Sequence, residues 1–175
     1  RTGEEIAQDY AFIDLGEGYA VYKYYGLDNH VVIPALYKNK PIISIEYGAF
    51  FSNKKIMTLV VPDSVVEIKE YAFSACSNLT TVKLGSGLKK IGKNAFSSCK
   101  NLSSINLPEG LTTIDSYAFS QCGSLESITL PDGLEKFGFS ALSNTGDHMF
   151  TDYKNGKYIG SATNPYLVFV KMDLA

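Results

Sequence analysis

Apolar residues recur along this chain at a fixed interval of 23 residues. Seven apolar columns keep that interval through four successive copies, and a fifth, less regular copy follows. The clearest column contains Phe50, Phe73, Phe96 and Phe119, and an alanine precedes each of them. A period of about 20 to 50 residues predicts a solenoid, in which residues one period apart pack side by side in a shared interior.

Each copy also contains two short extended pieces that are separated by a turn. In the second copy, Val82-Lys83-Leu84 alternates apolar and polar residues as a half-buried strand does, and Leu88 to Ile91 follows as a second piece. A proline ends the first piece in three of the copies. The A-F-x-x-C phrase in each copy is too short for a stable helix, so we expect a single helical or 3₁₀ turn there.

The two flanks of the repeats lack the 23-residue pattern and favour β-structure. Near the N-terminus the sequence predicts strands over 10–15, 19–25 and 30–34. Near the C-terminus, Asn155-Gly156 predicts a hairpin between 149–153 and 158–160, and a last strand is predicted over 166–172. We therefore divide the chain into three segments. They are a β-rich N-terminal cap (1–41), the repeats (42–146), and a C-terminal β-hairpin and strand segment (147–175) that we expect to stop short of the natural terminus.

The 23-residue length, the proline after the first strand and the A-F-x-x-C phrase occur together between about Ile42 and Thr145. In this combination the chain resembles the BspA-like class of leucine-rich repeats. The resemblance implies a mainly β fold of the α/β solenoid class. We expect a right-handed superhelix of short strands and single helical or 3₁₀ turns, with β-rich N-terminal and C-terminal caps. It also implies a secreted or cell-surface bacterial protein that binds proteins or host surfaces.

A cysteine ends the repeated phrase in three copies, at Cys76, Cys99 and Cys122, whereas the first copy has Asn53. Stacked coils lie about 4.8 Å apart, so the three thiols would point the same way in one row. Tetrahedral metal ligands must converge, and a disulfide needs side chains that turn toward each other. A structural ladder is therefore favoured, with a metal site and a disulfide as the less favoured alternatives.

Composition and charge argue against several classes of function. The 175 residues suit one domain, and 45% apolar residues suffice for a continuous core. A net charge of −2 gives no general attraction to nucleic acid or anionic membranes, and no apolar run approaches the roughly 20 residues that span a bilayer. No nucleophile, phosphate-binding or calcium-loop motif is present. We therefore expect a monomeric non-enzyme with no catalytic residue, no metal and no cofactor.

Lysines cluster in the middle copies, where they could suggest a basic surface. However, Lys90 and Lys93 follow Glu67 and Glu70 by one period, so each lysine should face an acid on the coil before it. We expect exposed ion pairs, each of which stabilises the protein by about 0–1 kcal/mol, rather than a site for nucleic acid.

Side chains that alternate with the buried strand positions form two candidate contact columns on the concave sheet face. They are the hydroxyl row Thr58, Thr81, Ser104 and Ser127, and the mixed row Val60, Lys83, Asn106 and Thr129. A track for a glycan or an extended peptide competes with the interpretation that these are ordinary exposed strand residues. Four strands offer roughly 250 Å² of face, against about 800 Å² per partner in a standard interface.

Tyrosines crowd the first 47 residues, and Tyr22, Tyr24 and Tyr25 are candidates for an aromatic binding patch. Strand alternation places Tyr22 and Tyr24 on one face and Tyr25 on the other. The competing interpretation is that these rings cover the end of the core.

Three functional hypotheses follow, and extracellular protein binding or adhesion comes first. A carbohydrate-binding module is the second, because the hydroxyl row and the tyrosines could contact sugars. A passive spacer in a larger surface protein is the third. The expected partner is a protein or a glycan on a host or bacterial surface, and not a nucleic acid.

Overall fold

The computed structural model describes residues 7–145, 151–153, 156–159 and 168–172, and this part of the chain contains fifteen strands. In chain order they are β1 (Tyr10–Asp14), β2 (Tyr19–Tyr24), β3 (His30–Val32), β4 (Leu36–Tyr37), β5 (Lys40–Ile45), β6 (Thr58–Val60), β7 (Glu67–Ile68), β8 (Thr81–Lys83), β9 (Lys90–Ile91), β10 (Ser104–Asn106), β11 (Thr113–Ile114), β12 (Lys136–Phe137), β13 (Thr151–Tyr153), β14 (Gly156–Ile159) and β15 (Val168–Met172).

Two sheets form the sides of the solenoid. An eight-stranded sheet has the order β1-β2-β5-β7-β9-β11-β12, with β4 paired to β5, and a four-stranded sheet has the order β10-β8-β6-β3. Within the repeats, strands of successive coils pair in parallel, and the paired residues are 23 positions apart, as in Ile68 beside Ile91. The chain is therefore a mainly β solenoid of about five coils with almost no helix, and the predicted stacking at the 23-residue period is confirmed.

The phenylalanine column forms one continuous stack through the interior. The rings of Phe50, Phe73, Phe96 and Phe119 are at most 1% exposed, and neighbouring centroids lie 4.7, 5.1 and 5.5 Å apart. The interplanar angles fall from 25° to 9° and 5° along the stack. Tyr24 extends this stack at its N-terminal end, with its ring centred 5.0 Å from that of Phe50. Because coils are spaced by about 4.8 Å, one flat ring per coil places consecutive rings side by side in the interior.

The A-F-x-x-C segments form consecutive tight turns instead of the expected helical or 3₁₀ turn. In the second copy, the N–H groups of Ala72 and Ser74 donate to carbonyl groups three residues earlier, whereas those of Phe73 and Ala75 donate to the following coil. Tyr71 and Ala75 have φ angles of 58° and 59°, in the left-handed region that interrupts a helix. In a helix, the N–H groups donate to carbonyl groups of the same helix. In these turns, every second N–H group donates to the following coil instead.

The three cysteines take the ladder role that the sequence favours. Each is buried and unpaired, and its Sγ donates to the carbonyl oxygen of the phenylalanine 26 residues earlier, at 3.2 Å in all three cases. Burial raises the pKa of the Cys76 and Cys122 thiols to about 12, and that of Cys99 well above its usual value. Asn53 acts differently, because its Oδ1 accepts from the N–H groups of Lys55 and Ile56 within its own coil.

The first coil is longer than those that follow. β3 pairs with β6 at an offset of 28 residues, because the short hairpin of β4 and β5 is inserted between the two sides of the coil. Lys38 and Asn39 form its tip, with φ angles of 48° and 62°. Tyr10 packs beside Tyr24, with centroids 4.9 Å apart, so β1 also contacts the end of the ring stack.

Near the C-terminus, β13, β14 and β15 form an antiparallel three-stranded sheet. These strands correspond to the predicted strands, whereas Asn155 of the predicted turn lies outside the described residues. In the described part of the chain, no helix is both long enough and apolar enough to cross a membrane. The three segment boundaries, the right-handed winding and the capping role of the flanks stay predictions.

Candidate binding surfaces

The outer face of the four-stranded sheet carries the two predicted columns side by side. The registers align Thr58, Thr81 and Ser104 in one row and Val60, Lys83 and Asn106 in the next. β3 lengthens both rows, because His30 lies beside Thr58 and Val32 lies beside Val60. The His30 Nδ1 atom is 2.8 Å from Thr58 Oγ1, so the first hydroxyl of the row is hydrogen-bonded to the imidazole beside it.

The C-terminal end of this face differs from the expectation. Ser127 and Thr129 are exposed, but they lie in no strand of the four-stranded sheet, which ends at β10. At that edge the Asn106 amide Oδ1 accepts from the Leu84 N–H at 3.0 Å, and its Nδ2 donates to the Leu84 carbonyl at 3.3 Å. The Asn106 side chain is therefore already hydrogen-bonded to the neighbouring coil, so fewer of its donors and acceptors are available to a ligand.

The predicted tyrosine patch requires one correction. Tyr22 and Tyr25 are 54% and 65% exposed, but Tyr24 is only 6% exposed because it stacks on Phe50. Strand alternation therefore predicts the wrong neighbour for Tyr22. β2 lies between β1 and β5 in the sheet, and its residues Tyr19, Ala20 and Val21 are consecutively buried instead of alternating.

Tyr22 and Tyr25 instead join a different set of rings. Together with Tyr47, Phe51 and Tyr71 they line a groove of about 720 Å³, which we call the aromatic groove. Ile13, Lys23, Glu46 and Gly48 complete its lining. Tyr47 and Phe51 are 65% and 52% exposed, so four of the five rings present more than half of their surface to solvent. Its volume is within the range of about 300–1,000 Å³ that is usual for ligand sites.

Three stretches of chain bring the rings of the aromatic groove together. Tyr22 and Tyr25 come from β2 and the residue after it, Tyr47 and Phe51 from the turns of the first copy, and Tyr71 from the turns of the second. The Tyr71 ring meets Tyr47 and Phe51 edge-on, with centroids 5.6 and 6.4 Å apart. The left-handed backbone at Tyr71 is shared by Gly48, the equivalent residue of the first copy, with φ 59°. Tyr71 thus packs against two of the other four rings.

Two charged groups lie in the aromatic groove, and their surroundings differ. The Glu46 Oε2 atom accepts from Lys69 Nζ at 2.8 Å, and Oε1 accepts from the Ser44 hydroxyl at 3.0 Å. Lys23 Nζ donates to the carbonyl oxygen of Gly48 at 3.4 Å. Within residues 7–145, no carboxylate lies within 4.0 Å of Lys23 Nζ.

A second, charged groove of about 390 Å³ adjoins the aromatic groove and shares Tyr47 with it. Its lysines and acids are matched across coils: Lys90 lies 2.8 Å from Glu67, and Lys93 lies 3.8 Å from Glu70. The two predicted ion pairs are confirmed. The charges of this groove are thus largely balanced, whereas the aromatic groove has an ammonium group with no paired acid among the described residues.

Comparison with known families decides the identity of the repeats. Residues 39–164 match the family described as BspA type leucine rich repeat region, in six copies. The chain belongs to this family. A comparison with curated proteins found no match.

Solved structures of bacterial leucine-rich repeat proteins have a fold similar to that of this chain. A leucine-rich repeat protein of T. pallidum is 28% identical, with a TM-score of 0.79, over 82% of this chain and 67% of that one. One from Bacteroides ovatus is 34% identical, with a TM-score of 0.67, over 75% of this chain and 36% of that one. One from Bacteroides capillosus is 25% identical, with a TM-score of 0.53, over 83% and 93%. Leucine-rich repeat proteins of this kind are generally protein-interaction modules.

Tyr47, Phe51 and Tyr71 of the aromatic groove lie outside the predicted tyrosine patch. The columns of the BspA-type repeats contain a signal for one of these three rings. Phe51 occupies a column that is otherwise serine, at Ser74, Ser97, Ser120 and Ser143. A large apolar residue in a column of small polar residues indicates that this side chain has a different role from its equivalents in the other copies. No comparable signal distinguishes Tyr47, whose column is already variable.

Proposed function

We propose that this chain is a non-enzymatic protein-binding module of a secreted or cell-surface protein, and that the aromatic groove is its main contact site. The observation that carries the proposal is the convergence of five aromatic side chains, four of them more than half exposed, on one groove. Tyrosines are enriched at the energetic centres of protein interfaces, because they combine a large apolar surface with a polar tip.

The polar face of the four-stranded sheet is a weaker candidate. Its four strands span roughly 20 Å, and the area is well below the usual 800 Å² per partner. Some of its polar groups are also occupied, since Thr58 contacts His30 and Asn106 pairs with Leu84. The aromatic groove adjoins the charged groove at Tyr47, so one partner can contact both grooves and cover a larger area.

The extracellular location and the capping role of the flanks belong to the same proposal. Location is supported by the membership of the BspA-type family, whose resemblance implies secreted or surface proteins. Capping is supported by the contacts of Tyr10 and Tyr24 with Phe50, which shield the first ring of the stack.

A binding screen with matched variants tests the proposal. The purified chain is immobilised and exposed to a panel of purified extracellular-matrix and serum proteins, and to a glycan array. We expect saturable binding to a protein that is at least tenfold weaker for the double variant Tyr22→Ala/Tyr47→Ala, because interface tyrosines carry a large share of the binding energy. Phe139→Ala is the control, since Phe139 is 73% exposed but lies outside the groove.

Two results would contradict this assignment. Protein binding that survives the groove variant but is lost in Thr81→Lys/Ser104→Lys would move the site to the four-stranded sheet. Saturable glycan binding that is lost in the same sheet variant would make the chain a carbohydrate-binding module instead.

A further inference from the structure

The aromatic groove combines exposed rings with one lysine whose charge is not balanced by the surrounding residues. We propose that its partner is a protein segment that presents an apolar or aromatic side chain next to a carboxylate, and that Lys23 is the residue that selects the carboxylate. This inference rests on the proposed function, because it assumes that the groove binds a protein.

The apolar part of the recognition follows from the exposure of the rings. Tyr25 and Tyr47 are each 65% exposed, and Phe51 is 52% exposed. An apolar side chain that fills the space between them removes apolar surface of both the ring and the incoming side chain from water, which is favourable. A sugar would bring several hydroxyl groups that each need a partner, whereas both Glu46 oxygens already accept hydrogen bonds.

The charged part of the recognition follows from the register of β2. One period separates Lys23 from Glu46 and Glu46 from Lys69, so a regular coil would place the acid between two lysines. An irregularity between Tyr19 and Ala20 instead shifts the pairing of β2 with β5 from an offset of 23 residues to 24. Glu46 therefore pairs with Lys69 alone, and Lys23 extends to the carbonyl group of Gly48.

Lys23 has binding capacity left after this contact. An ammonium group has three N–H donors, and the carbonyl of Gly48 is a neutral acceptor that engages one of them at a long 3.4 Å. The side chain is half-buried beside the rings, where water screens a charge less than on an open surface. A carboxylate that enters the groove with its apolar neighbour can therefore form a charge-assisted hydrogen bond with Lys23.

The other lysines near the groove show why Lys23 is selective. Lys69 is 2.8 Å from Glu46, and Lys90 is 2.8 Å from Glu67, so an incoming carboxylate would have to displace an acid already in place. Lys23 requires no such displacement within the described part of the chain. The complementary protein segment therefore carries one carboxylate next to the apolar side chain that enters the groove.

Peptide selection followed by matched peptides tests the inference. A phage library of random 12-residue peptides is selected on the full chain, and we expect enrichment of an aromatic or aliphatic residue within two positions of Asp or Glu. A selected peptide is then synthesised with its acid as Glu or as Gln, and binding is measured by fluorescence anisotropy. The wild-type chain should bind the Glu peptide at least fivefold more tightly than the Gln peptide.

The variants separate this inference from the proposed function. Lys23→Gln should bind both peptides equally, whereas the control Lys54→Gln, at an exposed lysine outside the groove, should keep the fivefold preference. If Tyr22→Ala/Tyr47→Ala abolishes binding but the wild-type chain does not distinguish Glu from Gln, the groove is a protein site and the role of Lys23 is wrong. Peptides that bind regardless of the groove variant would overturn both. Failure to enrich acidic peptides, or binding only to acidic glycans, would overturn the inference.

Discussion

The repeating interior and the aromatic groove are built from the same kinds of ring, but they use them in opposite ways. In the interior, the rings from Phe50 to Phe119 stack nearly parallel and are at most 1% exposed. In the groove, Tyr71 meets Tyr47 and Phe51 edge-on, and four of the five rings are more than half exposed. A coil with a neighbour on each side must bury the residues that repeat. The first coil departs from the period, and the aromatic residues in and beside it are exposed.

Truncation of one interior ring should produce the largest effect on stability. We expect Phe96→Ala to lower the free energy of unfolding by about 4 kcal/mol, because the ring is fully buried between two other rings and leaves a cavity. Urea unfolding monitored by circular dichroism measures the change. Phe139→Ala, at a ring that is 73% exposed, should change it by less than about 0.5 kcal/mol. A loss below about 1 kcal/mol for Phe96→Ala would show that the stack is not the source of cohesion.

The cysteine ladder should make stability depend on pH above pH 9. Burial raises the pKa of Cys122 to about 12 from an ordinary value of 9.0, so between these values the thiol ionises only in the unfolded chain. The stabilising contribution is complete below pH 9 and is lost as the pH rises toward 12. At pH 10, one unit above the ordinary value, the loss for this one thiol is about 1.4 kcal/mol.

The substitution Cys122→Ser isolates this contribution, because a serine hydroxyl does not ionise in this range. Between pH 8 and pH 10, the free energy of unfolding of the wild-type chain should fall by about 1.4 kcal/mol more than that of the variant. Ser97→Ala is the control and should follow the wild type. Equal slopes for wild type and Cys122→Ser would mean that the thiol is accessible in the folded chain.

A glycine in a left-handed turn position should stabilise the repeats by a smaller amount. Ala75 has φ 59°, where an alanine is strained by about 1–2 kcal/mol and glycine is not, but glycine loses more entropy on folding. We expect Ala75→Gly to raise the free energy of unfolding by about 0.5 kcal/mol. Ala72→Gly, at a fully buried position of the same turns without positive φ, should lower it. The reverse order in thermal unfolding would contradict the turn assignment.

The groove rings should matter least for stability, which sharpens the contrast with the interior. Tyr47→Ala should change the free energy of unfolding by less than about 0.5 kcal/mol, since the ring is 65% exposed. The same variant should weaken partner binding, so the two measurements dissociate. A destabilisation as large as that of Phe96→Ala would show that Tyr47 is a structural residue instead of a binding one.

Most of the repeat architecture could be predicted, because it depends on contacts that recur. The phenylalanine stack and the ion pair of Lys90 with Glu67 follow from residues one period apart, which parallel pairing makes adjacent, and the three thiols recur at the same period. The site was less predictable. Tyr24 is buried because it stacks on Phe50, whereas Tyr22 of the same strand is exposed, and strand alternation cannot anticipate this contact. The prediction of a helical or 3₁₀ turn was wrong, because hydrogen bonds between coils replace hydrogen bonds within the A-F-x-x-C segment.

The sequence by itself determined which residues are equivalent and which of them face inward, since a fixed period admits only one alignment of the coils. Only the tertiary structure decided at which residues the coils cease to be equivalent. The shift of β2 by one residue separated Lys23 from Glu46, and the packing of Tyr22, Tyr47 and Tyr71 from three stretches of chain opened a groove. The physical reason is that the first coil has a repeating neighbour on one side only, so its register and its exposed surface depend on the non-repeating strands that pair with it.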